Sequence, residues 1–135
     1  MNKTLLLAAV ICVLTAGIHI IMGSREIVTP FLDSDLAQVP KLTLYAVWYM
    51  VSAVLILTAA TLFYISFKKE QGGRELLFFI GILYTAFGLV FLIICFTHFD
   101  EKLFLELPQW ILLLPIGGLT LWEAYTWQKA IRLSE

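Results

Sequence analysis

Four long apolar stretches, separated by short polar segments, make up most of the chain. Their uncharged parts hold 21, 26, 24 and 16 residues and begin after Lys3, Lys41, Glu75 and Glu106 respectively. A helix of about 20 residues crosses the roughly 30 Å hydrocarbon core of a bilayer. The first three stretches reach that length alone, and the fourth reaches it if Glu123 lies near a membrane surface. Because each stretch is continuously apolar, the pattern favours helices over the short alternating strands of a membrane barrel.

The pattern predicts a single all-α domain over residues 1–135, a polytopic membrane protein built as an antiparallel bundle of four transmembrane helices. We expect the helices at about 4–22, 41–67, 75–99 and 106–128. Pro108 fits the first turn of the fourth helix, whereas Pro115 falls near mid-membrane and predicts a kink.

The connection between the first and second predicted helices is the longest in the chain. It runs from Gly23 to Lys41 and contains too many apolar residues for a solvated loop. We therefore expect a short helix that lies in the membrane interface and is broken at Pro30.

Composition supports a membrane location. The chain is 61 % hydrophobic and 14 % charged, whereas soluble domains are about 45–50 % apolar and about 25 % charged. A chain this short cannot bury the excess apolar surface in its own interior, which excludes a soluble monomer. No basic run is present, so nucleic acid is not an expected partner.

Basic residues predict the orientation in the membrane, because they are enriched in cytoplasmic segments. Six of them fall on the side that holds both termini and three fall on the other side. We therefore expect cytoplasmic N and C termini in a cell inner membrane. The first stretch also has features of a signal peptide, but its apolar run continues to Met22, which favours a retained helix. The six are Lys3, Lys68, Lys69, Arg74, Lys129 and Arg132, and the three are Arg25, Lys41 and Lys102.

Small and polar residues recur at helical spacing in each stretch and predict the faces on which the helices meet. In the first helix, the large residues Leu7, Ile11, Leu14, Ile18 and Ile21 are expected to face lipid. The predicted contact faces are Ala8, Cys12, Thr15, Ala16, His19 and Gly23 in the first helix, Tyr45, Tyr49, Ser52, Ile56 and Ala59 or Ala60 in the second, Gly81, Thr85, Gly88, Leu92 and Cys95 in the third, and Trp110, Leu114, Gly117, Leu121 and Ala124 in the fourth.

His19 is the first candidate for a functional site, because an ionisable side chain inside a membrane span is costly and usually faces the bundle. The alternative is a neutral imidazole that only fixes helix packing. Polar and aromatic residues at a similar depth predict an outward-facing, aromatic-lined cleft around it. The interfacial aromatic belt and a solvated loop are the alternatives for these residues. The expected ligand-binding residues are His19, Tyr45, Trp48, Tyr49, Ser52, His98, Glu106, Gln109 and Trp110.

Glu123 lies within the fourth apolar stretch and needs either water or a partner. Reaching the cytoplasmic surface is the first interpretation, and pairing with Lys3, Lys68 or Arg74 is the second. A proton-coupling carboxylate is the third.

The two cysteines predict no disulfide. Cys12 and Cys95 fall about 18 Å apart in depth at 1.5 Å of rise per residue, whereas a disulfide needs Cα atoms within about 7 Å. No Cys-x-x-Cys pair, phosphate-binding loop or metal-ligand spacing is present, so no cofactor or metal is predicted.

Three segments carry a family resemblance: Gly17–Gly23 at the end of the first helix, Arg25–Leu32 after it, and Tyr45–Tyr49 opening the second helix. Together with the four-helix plan, they resemble small bacterial inner-membrane families of unknown function, including DoxX-like proteins. Redox members near that group carry paired cysteines, which this sequence lacks, so the resemblance implies no redox activity here.

We expect a non-enzymatic membrane protein that binds a lipid-like or other apolar small molecule in the outer cleft, or that serves as an accessory membrane subunit. The expected partners are membrane lipids, that small molecule, and further copies or a larger membrane complex. One alternative is a small proton-linked transporter that uses His19 and Glu123. The other is a haem- or quinone-binding redox protein that uses His19 and His98.

Overall fold

A computed structural model describes residues 1–67, 73–98 and 102–132, with side chains given for all of these except residues 128–132. The described residues contain helices and turns but no strand, which confirms the all-helical fold class. The helices are α1 Lys3–Gly23, a π-helical turn Ser24–Val28, α2 Thr29–Leu32, α3 Gln38–Phe67, α4 Arg74–Thr97, α5 Leu103–Glu106 and α6 Gln109–Arg132.

Within the described part of the chain, three helices are long and apolar enough to cross a membrane: Lys3–Leu32, Gln38–Phe67 and Arg74–Thr97. The fourth long helix, α6, is not among them. Polar or weakly apolar residues, including Pro115 and Glu123, lower its hydropathy.

The first long helix continues past its predicted end at residue 22, because α1, the π-helical turn and α2 form one helix of 30 residues. A proline ring normally collides with the carbonyl four residues earlier. Ahead of Pro30, the backbone N–H and the hydroxyl of Thr29 both donate to the carbonyl of Ser24, five residues back. The wider π-helical turn gives the ring room, so the helix passes through Pro30 where an interfacial break was expected.

The turn between α2 and α3 is correspondingly short, covering residues 33–37. Lys41 closes it by donating from Nζ to the carbonyls of Leu32 at 2.8 Å and Ser34 at 2.6 Å. A cation is favourable there because the C-terminal carbonyls of a helix lack partners and carry partial negative charge.

The helical segment predicted to begin at residue 106 is interrupted. Leu107 has φ −116° and ψ 64°, outside the helical region, and separates α5 from α6. The residue before a proline is disfavoured in the helical conformation, which accounts for the break ahead of Pro108.

Helix α1 packs against both α3 and α6, and α4 packs against α6. The predicted contact face of α1 is confirmed, since Ala8 and Cys12 are fully buried and Ala16 is nearly so. Of the residues expected to face lipid, Leu7, Leu14, Ile18 and Ile21 are exposed, whereas Ile11 is partly buried against the core.

The predicted face of the second helix is only partly correct. Ser52 and Ala59 are buried, but Tyr49 and Ile56 are 58 % and 52 % exposed. The buried face of α3 also includes large residues, among them Leu55 and Leu62. They fill the space that the small side chains of α1 leave open.

Helices α4 and α6 fit together through glycines. A Cβ at Gly81 would lie 2.5 Å from Cγ of Leu121, and one at Gly88 would lie 2.6 Å from Cδ2 of Leu114. From Gly81 to Gly88 the contact moves forward along α4, and from Leu121 to Leu114 it moves back by the same number of residues along α6. The two helices are therefore antiparallel neighbours in constant register. This confirms the small-residue faces predicted for the third and fourth helices.

Gly117 and Gly118 give a matched test of this packing. A Cβ at Gly117 would lie 2.8 Å from the backbone nitrogen of Thr85 and 3.0 Å from the carbonyl oxygen of Gly81, whereas Gly118 has nothing within 4 Å. We expect Gly117→Ala to lower the free energy of unfolding by about 1–3 kcal/mol, because backbone cannot move aside cheaply. Gly118→Ala should be neutral or stabilise by up to about 1 kcal/mol through helix propensity. Unfolding in mixed detergent micelles, followed by circular dichroism, measures both, and equal losses would contradict the packing.

Candidate functional site

The imidazole of His19 stacks on the indole of Trp48 near one end of the bundle. The ring centroids are 3.9 Å apart and the planes differ by 17°. Nε2 of His19 lies 3.4 Å from the carbonyl oxygen of Trp48, which also accepts a hydrogen bond of 2.9 Å from the hydroxyl of Ser52. Three of the residues predicted for the outer site, His19, Trp48 and Ser52, therefore meet.

Gly23 makes room for this stack. A Cβ at that position would lie 2.5 Å from Cη2 of Trp48, so the indole can lie across α1 only where the side chain is absent. The π-helical turn begins at the next residue. Such turns interrupt α-helices frequently at functional sites.

The hydrogen-bond chemistry of His19 leaves one nitrogen available. A carbonyl can only accept, so Nε2 must carry the hydrogen that points toward Trp48. In a neutral imidazole, Nδ1 is then an acceptor, and among the described residues it has no hydrogen-bond partner. The half-buried ring thus presents an acceptor to any molecule that reaches it.

Tyr45 and Tyr49 form a second pair on α3, one turn before Ser52. Their hydroxyls lie 2.8 Å apart and their rings meet edge to face. Tyr49 is largely exposed and Tyr45 is partly buried. The hydroxyls satisfy each other on the outer surface of the helix.

The remaining predicted ligand-binding residues lie on α4, α5 and α6. His98 and Glu106 are exposed, and Nδ1 of His98 lies 3.0 Å from the carbonyl oxygen of Ile94. Oε1 of Gln109 and Nε1 of Trp110 are buried and have no partner among the described residues. The hydrogen bonds and ring contacts of the described chain do not link these residues to His19, so one cleft that contains all of them stays a prediction.

Glu123 has a partner that sequence reasoning missed. Its Oε2 accepts a hydrogen bond of 2.7 Å from Nδ2 of Asn2. Asn2 also accepts from the backbone N–H of Leu5 through its side-chain oxygen and donates from its own backbone N–H to the carbonyl of Ser66. One residue thereby caps α1 and joins it to α3 and α6.

Cys12 and Tyr84 form a buried polar contact at mid-depth. The Tyr84 hydroxyl lies 3.3 Å from Sγ of Cys12, and Sγ donates to the carbonyl of Leu55 at 3.4 Å. Tyr84 thus contacts α1 through this sulfur, and because Cys12 in turn donates to α3, the contact joins α4, α1 and α3.

Cys12 and Cys95 are both free and buried, which confirms that they do not pair. Within the described ranges, no group of three or more His, Cys, Asp or Glu side chains could hold a metal ion.

We expect the stacked geometry to be visible in the NMR spectrum of the histidine rings, since the chain has only His19 and His98. The ring protons of His19 lie over the indole and should be shifted upfield relative to those of exposed His98. Gly23→Ala should push the indole away and bring the His19 signals toward those of His98. Gly17→Ala is the matched control, because nothing lies within 4 Å of its added Cβ. Unshifted His19 signals in the unaltered protein would contradict the stack.

Comparison with known proteins adds one family match. Residues 36–93, which hold α3 and most of α4, match the family model described as a short repeat of unknown function, DUF308. No curated protein and no solved structure matches the chain. The resemblance to DoxX-like proteins finds no support in these comparisons and stays a prediction. The chain is thus similar, over less than half of its length, to a family whose function is unknown.

Proposed function

We propose that the chain is a four-span integral protein of a cell inner membrane with both termini in the cytoplasm. Three helices are apolar enough to cross the bilayer. The fourth, α6, runs antiparallel to α4 with glycine contacts near Gly81 and Gly88, so the two helices share the same depth. The excess of basic residues on the side that holds both termini, six against three, supports the orientation.

We further propose that this protein binds a lipid-like or other apolar small molecule beside His19, in a non-enzymatic role. The observation that supports this is the half-buried imidazole in the first of the helices apolar enough to cross a membrane, since its Nε2 is engaged by Trp48 while Nδ1 has no partner among the described residues. A ligand with an apolar body and one hydrogen-bond donor matches this pairing of an aromatic surface with a single acceptor. The partners of the protein are then membrane lipids and that ligand.

Cysteine labelling tests the topology. With an impermeant maleimide applied to intact cells, we expect Asp35→Cys and Glu106→Cys to react, because both positions are exposed on the outward side. Glu75→Cys and Ser134→Cys should react only after the membrane is permeabilised. The native thiols are buried and give little background. Labelling of Ser134→Cys in intact cells, together with Glu106→Cys, would show that α6 does not cross.

Replacement of each histidine tests the binding site. We expect the purified protein to retain an apolar molecule detectable by native mass spectrometry, and His19→Ala to reduce its occupancy about two- to tenfold, the effect of one lost hydrogen bond. His98→Ala is the matched control, because that ring is exposed at the end of α4. Equal retention by the two variants would overturn the assignment to His19.

A further inference from the structure

An apolar groove runs along the surface between α1 and α3. It has a volume of about 320 Å³ and is lined by Val13, Ala16, Ile56, Ala59, Ala60 and Phe63. All six residues are apolar, and both helices are long and apolar enough to cross a membrane. The groove is therefore a recess in the part of the protein that faces hydrocarbon. Its volume falls at the lower end of the range of about 300–1,000 Å³ for small-molecule sites.

The groove and the His19 site share the same faces of the same two helices. On α1, Ala16 precedes His19 by three residues, and on α3, Ile56 follows Ser52 by four. Side chains at these spacings lie one above the other on a helix. The imidazole therefore lies in line with the groove, about one turn beyond Ala16.

We infer that the groove and the imidazole in line with it together hold a single-chain amphiphile, with its hydrogen-bond-donating head group at Nδ1 of His19 and its alkyl chain in the groove. The inference rests on the proposed function and specifies its ligand class. From Trp48 to Phe63 the surface extends about 22 Å along α3 at 1.5 Å per residue, the scale of a long alkyl chain. One narrow groove beside one acceptor suits a long-chain alcohol better than a two-chain phospholipid.

Photolabelling in phosphatidylcholine nanodiscs tests this assignment. The probe is hexadecan-1-ol with a diazirine at its terminal carbon, and adducts are mapped by mass spectrometry. We expect adducts concentrated around Phe63, at the end of the groove between α1 and α3 that lies farthest from His19. Ala60→Phe should reduce them about two- to tenfold by filling the groove, a change equal to the loss of one favourable contact. Ala86→Phe, an equal change at an exposed alanine of α4, should leave them unchanged.

Three outcomes would overturn the inference. Adducts that depend on His19 but spread over other helices, or that persist in Ala60→Phe, would remove the groove while leaving the proposed binding at His19 intact. Groove labelling that His19→Ala does not change would remove the proposed function as well. Equal groove labelling by a phosphatidylcholine with the same diazirine would assign the groove to bulk bilayer lipid.

Discussion

Helices surrounded by hydrocarbon gain little by burying leucine against leucine, so close approach and polar contacts must hold them together. In this chain α1 meets that constraint with a face of very small side chains. Ala8, Ala9 and Cys12 are completely buried. The narrow face lets two helices, α3 and α6, pack against α1 at once. Helix α4 packs in turn against α6 through the glycine contacts. The arrangement of the described helices therefore depends on how closely α3 and α6 can approach α1.

Polar contacts reinforce α1 at three depths. Asn2 joins it to α3 and α6 at one end, Cys12 joins it to α3 and α4 in the middle, and His19 joins it to α3 at the other end. Asn2 and His19 are about 26 Å apart along the helix at 1.5 Å per residue. Each such bond in a membrane protein contributes about 0.6–2 kcal/mol. The structural role of His19 and its proposed binding role are compatible, because the contact with Trp48 uses Nε2 and the proposed ligand uses Nδ1.

The sequence predicted the faces of α1, α4 and α6 because small residues at helical spacing mark close contact in lipid. The rule held only in part for α3, whose buried face includes Ser52 and Ala59 but also Leu55 and Leu62. A helix that packs against alanines must supply the bulk itself, and that complementarity cannot be read from one helix alone. The pair Asn2 and Glu123 was missed for a similar reason, since the two residues are 121 positions apart and one is uncharged. Of the residues predicted for the site, His19, Trp48 and Ser52 lie together, and the stack of His19 on Trp48 depends on Gly23, a dependence that the sequence did not indicate.

The segment that matches the family model does not pack as an independent unit. The matched segment, residues 36–93, contains α3 and most of α4, yet in the described residues α3 packs chiefly against α1 and α4 chiefly against α6. Tyr84 of α4 is joined to α3 through Cys12 of α1, whose sulfur contacts the Tyr84 hydroxyl and donates to the carbonyl of Leu55. The matched segment is therefore not a self-contained hairpin. Each of its helices packs against a helix outside the segment, α3 against α1 and α4 against α6. The groove proposed to hold an alkyl chain likewise requires α1, which supplies Val13 and Ala16 to its lining.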